Sequence, residues 1–398
     1  MKLLHIIILI LIVFRMDFGF SQTVVPKEEN NAIPQKNISN TREETIREES
    51  LEEKKLEAPV SKKAKSSAYR SDAESKDQNL KVKEQQATQF SNLKKNVQYK
   101  RIQKNPTPEE QKQLNEVVDY YGTNFPNSFE YHYFKFAASS YDLKEMGHLL
   151  EAEKLKPNNV DVHKMLVACY YLKNDTVALK KHLKILKESN VIQVDLIDYA
   201  SDMLTSSSKN AFLFTHGFDD SYAILYQQQI NGYRKDVQLV SLDFLQSESQ
   251  QLILKTKGLK LPASLVVDTA YFKKLLEMNP QNNWNISLTI PKEYLLGVKN
   301  QLYVHGLVFV YSNLKMENNF FMNDYLWHEQ LNKKVIYSYQ SDKAKLLSSN
   351  YLPMCLLMKK VYVQKGDVDQ IQQLDDTINR ISIQSQKKKE VNALNQKN

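Results

Sequence analysis

Apolar positions along this chain follow two rhythms. Through residues 106–208 and again through 343–385 they recur every three to four positions, the spacing of one buried helix face. Between them, in 209–342, short continuous apolar runs take over, as in strands buried on both sides. The first helical stretch is "NPTPEEQKQLNEVVDYYG", in which Leu114, Val117, Val118 and Tyr121 share a face. Thr107 is placed to cap it, Pro108 suits the first turn, Glu109 and Glu110 favour the positive helix start, and Gly122 is placed to end it.

A repeat follows. Pro126-Asn127 and Pro157-Asn158 stand 31 residues apart, each leading into an apolar or aromatic helix, a short polar turn and a second amphipathic helix. A period in the low thirties with two helices per unit predicts a helical solenoid. A third pair is predicted after residue 343: "NYLPMCLLMKKVYVQKGDVDQIQQLDDTINRI" turns at Lys365-Gly366-Asp367 and carries Ile371, Leu374, Ile378 and Ile381 on one face. Leu166, Tyr170, Asn174, Ala178 and Leu183, with Pro157 before them, resemble the tetratricopeptide repeat. The turn is about one residue short of that family's pattern, and Met146 stands near where the family places a small residue.

In the middle region "AFLFTH" predicts a strand, "DDSYAILYQQQING" a helix and "DVQLVSLDF" a second strand, a unit for which right-handed parallel pairing is expected. "WNISLTIP" and "QLYVHGLVFVYS" read as further strands, separated by the short helical "KEYLLGVKN". The expected fold class is mixed α and α/β. Tetratricopeptide-like helical hairpins pack with a small two-layer or three-layer, Rossmann-like α/β domain behind a disordered N-terminal arm.

That arm is read from composition. Residues 22–105 hold no Gly, no Cys and three aromatics (Tyr69, Phe90 and Tyr99), with Glu, Lys, Ser, Asn and Gln dominant. So little apolar surface does not offset chain ordering, and a disordered linker is expected. Before it, Lys2, the apolar run Leu3–Phe14 and Gly19-Phe20-Ser21 have the layout of a secretory signal peptide, residues 1–21, with Gln22 as the mature N-terminus. The twelve-residue run rises only about 18 Å as a helix, short of the roughly 30 Å core of a bilayer. No integral membrane segment is expected after cleavage. The predicted organisation is 1–21 signal peptide, 22–105 linker, 106–208 helical repeats, 209–342 α/β domain, 343–385 helix pair and 386–398 disordered tail.

Charge and cysteine content narrow the functional classes. The net charge of +8 is spread among Glu and Asp, and the one dense basic run, Lys387-Lys388-Lys389, reads as a solvated tail, so no nucleic-acid partner is expected. Cys169 and Cys355 are the only cysteines. Export permits a disulfide between them, but two small buried hydrophobes fit their apolar helical settings better. The eight histidines are scattered, with no pair at helical i, i+4 spacing and no Cys/His metal motif; no metal and no cofactor are expected.

The C-terminal half carries a second resemblance. Gly217, Asp220 and Ser221 after the first strand, then Gly232, Arg234, Asp236 and Val237 before the second, are similar to the soluble C-terminal part of a bacterial family of large protein O-mannosyltransferase-like membrane glycosyltransferases. "NPQNNWNISLTIP" and "LYVHGLVFVYS" resemble two further strands of that family. The resemblance spans roughly 209–385. His216 and Phe218 depart from the family's loop, and its membrane region, which carries the glycosyl transfer, has no counterpart here. The resemblance therefore implies a free-standing relative of a soluble appendage and no transferase activity.

"THGFDDS" is the one loop with catalytic residue types: His216, Gly217, Asp219 and Asp220 stand just past a strand's C-terminal end, where α/β layers place ligands. A helix cap from Asp219 or Asp220, a tight turn at Gly217 and packing of His216 explain the same residues without chemistry, and no catalytic residue is expected. Arg234 and Asp236 read as a structural salt bridge. The expected function is an exported, non-enzymatic interaction scaffold of the bacterial cell envelope, periplasmic or outer-membrane associated, that binds a protein partner. Glu130, Lys164 and Tyr171 on the first helices of the hairpins are the candidate partner-binding residues. The alternative is a glycan-binding accessory of envelope glycosylation, with weak activity at the 215–221 loop.

Overall fold

The computed structural model describes residues 80–97, 103–316 and 319–395. The signal peptide, most of the expected linker and the last residues of the tail lie outside them. The described parts already correct two boundaries. Residues 80–97, placed in the linker by composition, form a helix, α1, and Phe90 is buried in it, stacked on Phe134 with ring centroids 4.1 Å apart and planes at 21°. At the other end, Lys388–Asn395 is helical where a disordered tail is expected, and Val391 is buried. In both segments a few apolar side chains are buried, and composition averages them away.

The N-terminal half is built of helices whose ends follow local rules. In α2 (Pro108–Asn124) Thr107 and Glu110 form a reciprocal capping box, the Glu110 N–H donating to Thr107 Oγ1 over 3.2 Å and the Thr107 N–H to Glu110 Oε2 over 2.8 Å. Gly122 does not end α2. It lies two residues inside, where a Cβ would stand 2.9 Å from the Tyr131 ring, so its role is close approach. The predicted hairpins are α3 (Phe129–Ala137) with α4 (Met146–Leu155), and α5 (Val160–Leu172) with α6 (Thr176–Glu188). Ser128, Asn159 and Asp175 cap α3, α5 and α6. Helix α7 (Val194–Ser206) leads into the sheet region.

The sheet has five strands: β1 (Phe212–Thr215), β2 (Gln238–Ser241), β3 (Trp284–Ser287), β4 (Leu302–His305) and β5 (Val308–Tyr311), in the order β2-β1-β3-β5-β4. β1 pairs in parallel with β2 and β3, with Phe214 opposite both Val240 and Ile286. The expected parallel unit is therefore present, with α8 (Gly217–Gln229) as its crossover, packed on β2. The single strand expected over "QLYVHGLVFVYS" reverses at Gly306 into the antiparallel hairpin β4–β5, and β5 pairs antiparallel with β3. Gly306 has φ +58°, and a Cβ there would collide with Ser206. Two helices absent from the sequence reading, α9 (Glu248–Thr256) and α10 (Thr269–Met278), join β2 to β3.

After β3 come α11 (Lys292–Leu296), the hairpin, α12 (Asn319–Tyr325), α13 (Lys334–Tyr337) and α14 (Asp342–Ser348). The third helix pair follows, α15 (Leu352–Lys365) and α16 (Val368–Gln384), and then α17 (Lys388–Asn395). Gly366 turns the pair with φ +71°. α12 and α15 cover β4.

One hydrophobic core joins these parts. It contains Leu183 and Leu186 of α6, Leu213 and Phe214 of β1, Trp284 and Ile286 of β3, and Leu374 and Ile378 of α16. The second hairpin, the sheet and the C-terminal pair thus share buried apolar surface, each residue worth roughly 1.5–3 kcal/mol. The first hairpin and α2 bury smaller clusters of their own, around Tyr121 with Phe134 and around Phe136 with Leu149. Cys169 and Cys355 are buried free thiols in separate clusters, the hydrophobic role expected of them; burial pushes both up to about 12. Among the described residues no helix is long and apolar enough to cross a membrane.

Candidate functional site

The parallel strands β1, β2 and β3 end on one edge of the sheet, the edge at which such layers place ligands. β1 delivers Thr215 and His216 there, β2 delivers Ser241 and then Asp243, and β3 delivers Ser287 and then Thr289. The first turn of α8 adds Gly217, Asp219 and Asp220. Gly217 has φ +76°, a left-handed conformation that favours glycine, and its N–H donates to Asp243 Oδ2 over 2.7 Å.

Neither aspartate caps α8. The cap position is His216, and it makes no side-chain cap bond, which corrects the capping role expected of Asp219 or Asp220. Asp220 turns inward instead. It is 2% exposed, accepts from the Thr289 hydroxyl and is held also by Ser287 and the His216 backbone. Burial pushes its carboxyl up to about 6, against the pull of those hydrogen bonds. Asp219 faces the other way and pairs with Lys343 of α14 at 2.5 Å. Thr215 and Ser221 share a hydroxyl hydrogen bond of 2.9 Å beneath them.

The edge is closed by a residue from far upstream. Residues 103–105 lie against the segment before α10: Gln103 bridges Asp268, the Lys104 N–H donates to the Val267 carbonyl over 2.9 Å, and Asn105 Oδ1 accepts from the Val267 N–H over 2.8 Å. This fastening directs the Lys104 side chain, 1% exposed, onto the strand ends. Its Nζ lies 2.5 Å from His216 Nε2 and 3.5 Å from Asp243 Oδ1. Burial lowers the Lys104 pKa and Asp243 opposes the fall. For Asp243, burial raises the pKa, but Lys104, His216 and the Gly217 amide outweigh it and hold the carboxyl below its usual range. His216 packs at the strand end as expected.

Asp220, half protonated near pH 6, and His216 are residue types for general acid–base work. Here both are buried and internally paired, and Lys104 stands over them. The cluster fastens the strand edge, the start of α8 and the 103–105 segment together. Lys104 carried no signal in the sequence, being one lysine among many in a polar stretch.

The three candidate partner-binding residues do not form one face. Glu130 accepts from Lys156 over 3.3 Å at the surface. Lys164 pairs with Asp161 at 3.0 Å and stands 5.2 Å from the Phe218 ring centroid, against the loop. Tyr171 points inward, and its hydroxyl donates to the Leu239 carbonyl of β2 over 3.0 Å and accepts from Gln238 over 2.8 Å. Tyr171 is thus a tie between α5 and the sheet.

Four of the eight histidines, scattered in sequence, meet in pairs across the first two hairpins. His132 and His148 have Nδ1 atoms 2.8 Å apart, and His163 and His182 have theirs 3.0 Å apart. His132 and His163 stand one repeat apart, which is the signal available in the sequence.

A protein-family model, TMEM260-associated domain 2, matches residues 196–394, and the chain belongs to that family. The match begins in α7 and takes in the whole sheet, the strand-end cluster and the C-terminal helix pair. No curated protein and no solved structure matches the chain.

Proposed function

We propose that the chain is an exported, non-enzymatic interaction scaffold of the bacterial cell envelope. Its tetratricopeptide-like hairpins and Rossmann-like layer, related to the soluble appendage of O-mannosyltransferase-like enzymes, together present a binding surface to a protein partner. The observation that carries this reading is the surface of α12. On that one short helix Phe321, Met322 and Tyr325 are 62%, 46% and 54% exposed, and Lys365 of α15 lies over the Phe320 and Phe321 rings at 4.2 and 5.1 Å. Aromatic residues and Met are the types enriched at protein interfaces. The strand edge agrees with it, since the buried Lys104 side chain covers His216 and Asp243 there.

The experiment is crosslinking in envelope extracts followed by capture. A partner crosslinked through α12, retained by a Val177→Ser control and lost on Phe321→Ser with Tyr325→Ser, supports the scaffold. A partner set indifferent to α12 removes its basis. The glycan-accessory reading has one observation in its favour, the buried Asp220 with its raised pKa at the strand ends. Saturable glycan binding that disappears in Asp220→Ala would establish that reading instead.

A further inference from the structure

Three consecutive helices bring one metal-ligating side chain each to a single point. α4 supplies Glu153, α5 supplies His163 and α6 supplies His182, and their ligand atoms lie within 4.8 Å of one another. The two histidines are 2% and 1% exposed, while Glu153 lies at the rim. We propose that Glu153, His163 and His182 form a binding site for a zinc-class divalent transition-metal ion, with a fourth position open on the Glu153 side.

The hydrogen bonding favours this. A carbonyl only accepts, so the 2.8 Å contact of His163 Nε2 with the Pro157 carbonyl fixes the proton on Nε2. His163 Nδ1 is left to accept, so the 3.0 Å contact puts a proton on His182 Nδ1; an ion taking both Nδ1 atoms would move that proton to His182 Nε2. A ligating histidine that donates its other ring N–H to a backbone carbonyl is the usual outer-shell arrangement at metal centres. Glu153 reaches the same point from the rim: its Oε1 is 4.0 Å from His182 Nε2, and one ligand atom of each of the three residues lies within 4.8 Å of the others. Two nitrogens about 2.0–2.1 Å from a tetrahedral zinc stand roughly 3.4 Å apart, so the rings need open by only a few tenths of an ångström. The His182 ring is steadied by stacking on Tyr170, centroids 5.3 Å apart at 12°.

The charge at the site agrees with the geometry. Glu153 supplies the single negative charge, and its present partner Lys181, 3.6 Å away and largely exposed, is free to swing aside. The first hairpin provides an internal comparison. Its His132–His148 pair has similar spacing, yet among the described residues the Glu153, His163 and His182 group alone brings three such ligands together.

The test uses the tag-free full chain, stripped with a chelator and titrated with zinc sulfate alone by calorimetry, and with cobalt(II) by visible absorption. One equivalent of zinc per chain, intense four-coordinate cobalt bands and a zinc-dependent rise in Tm are expected. His182→Gln should abolish the event. Because that side chain is buried, Glu153→Gln at the rim serves as a second variant, with affinity expected to fall tenfold or more while the helical signal is unchanged. His132→Gln with His148→Gln should keep binding intact. The proposal is overturned by the absence of a one-to-one event up to millimolar zinc, by binding unchanged in Glu153→Gln and His182→Gln, or by binding lost in the His132/His148 variant.

Discussion

Arg234 grips Asp236 through two parallel hydrogen bonds, Nε to Oδ1 over 2.8 Å and Nη2 to Oδ2 over 2.9 Å. The same guanidinium donates to the carbonyls of Leu204, Ser207 and Ser208 at the end of α7, over 2.6, 3.0 and 3.0 Å. One side chain thus ties the last helix of the N-terminal half to the approach of β2. Only a planar fork with five donors reaches all of these at once. Arg234→Lys should therefore destabilise by about 2 kcal/mol in chemical denaturation, in line with loss of charge-assisted hydrogen bonds. Parity with the native chain would show that the tie is slack.

The Asp236 carboxyl is held at about 2 by its hydrogen bonds to Arg234, below its unfolded value near 4. The stabilisation is complete above pH 4 and is lost as pH falls from about 4 to about 2. At a partly exposed site it amounts to about 1–2 kcal/mol. Asp236→Asn should flatten the stability profile in that window and leave it parallel to the native one above pH 5.

Asp220 has the opposite sign. Its folded pKa of about 6 lies above the unfolded value, so below pH 4 the group is neutral in both states and has no effect. Between pH 4 and 6 the unfolded chain releases a proton that the folded one keeps, and stability declines by about 2–3 kcal/mol as pH rises. Asp220→Asn cannot titrate and should lack this decline. Identical profiles for the two proteins from pH 4 to 7 would place the Asp220 pKa near its ordinary value.

Lys104 is buried and Asp243, its ion-pair partner, is partly buried. Lys104→Ala leaves the Asp243 carboxylate with the Gly217 N–H and His216 but without its ion-pair partner, and opens a cavity, so it should cost about 3 kcal/mol. The double variant Lys104→Met, Asp243→Asn should recover much of that loss. A double variant no better than the worse single one would mean that the cavity, not the charge, dominates.

Phe90 stacks on Phe134 and is 1% exposed. Phe90→Ala should destabilise by about 3 kcal/mol. Limited proteolysis with intact-mass readout should then find the resistant fragment of the native chain starting near residue 80–87. A start at 106 in the native protein would show α1 to be a dispensable addition.

The sequence by itself determined the features that depend on near neighbours. The Thr107 capping box, the helical hairpins, the glycine turn at Gly366, the strand–helix–strand unit and the Arg234–Asp236 pair are set by residues a few positions apart, and a single chain displays them. Hydrophobic period also gave the change from helices to sheet near residue 209. What only the tertiary structure decided are meetings between residues distant in the chain. Lys104 on the strand ends, Phe90 under Phe134, Tyr171 turned to Leu239, and His163 facing His182 each arise because a packed core brings together side chains that sequence separates. The reversal at Gly306 is of the same kind. "LYVHGLVFVY" is apolar enough for one long strand, and pairing of β5 with β3 on one side and β4 on the other decides that it is two. Local conformational preferences act over a few bonds, whereas burial acts on whatever the fold makes adjacent, and only the first is written along the line of the sequence.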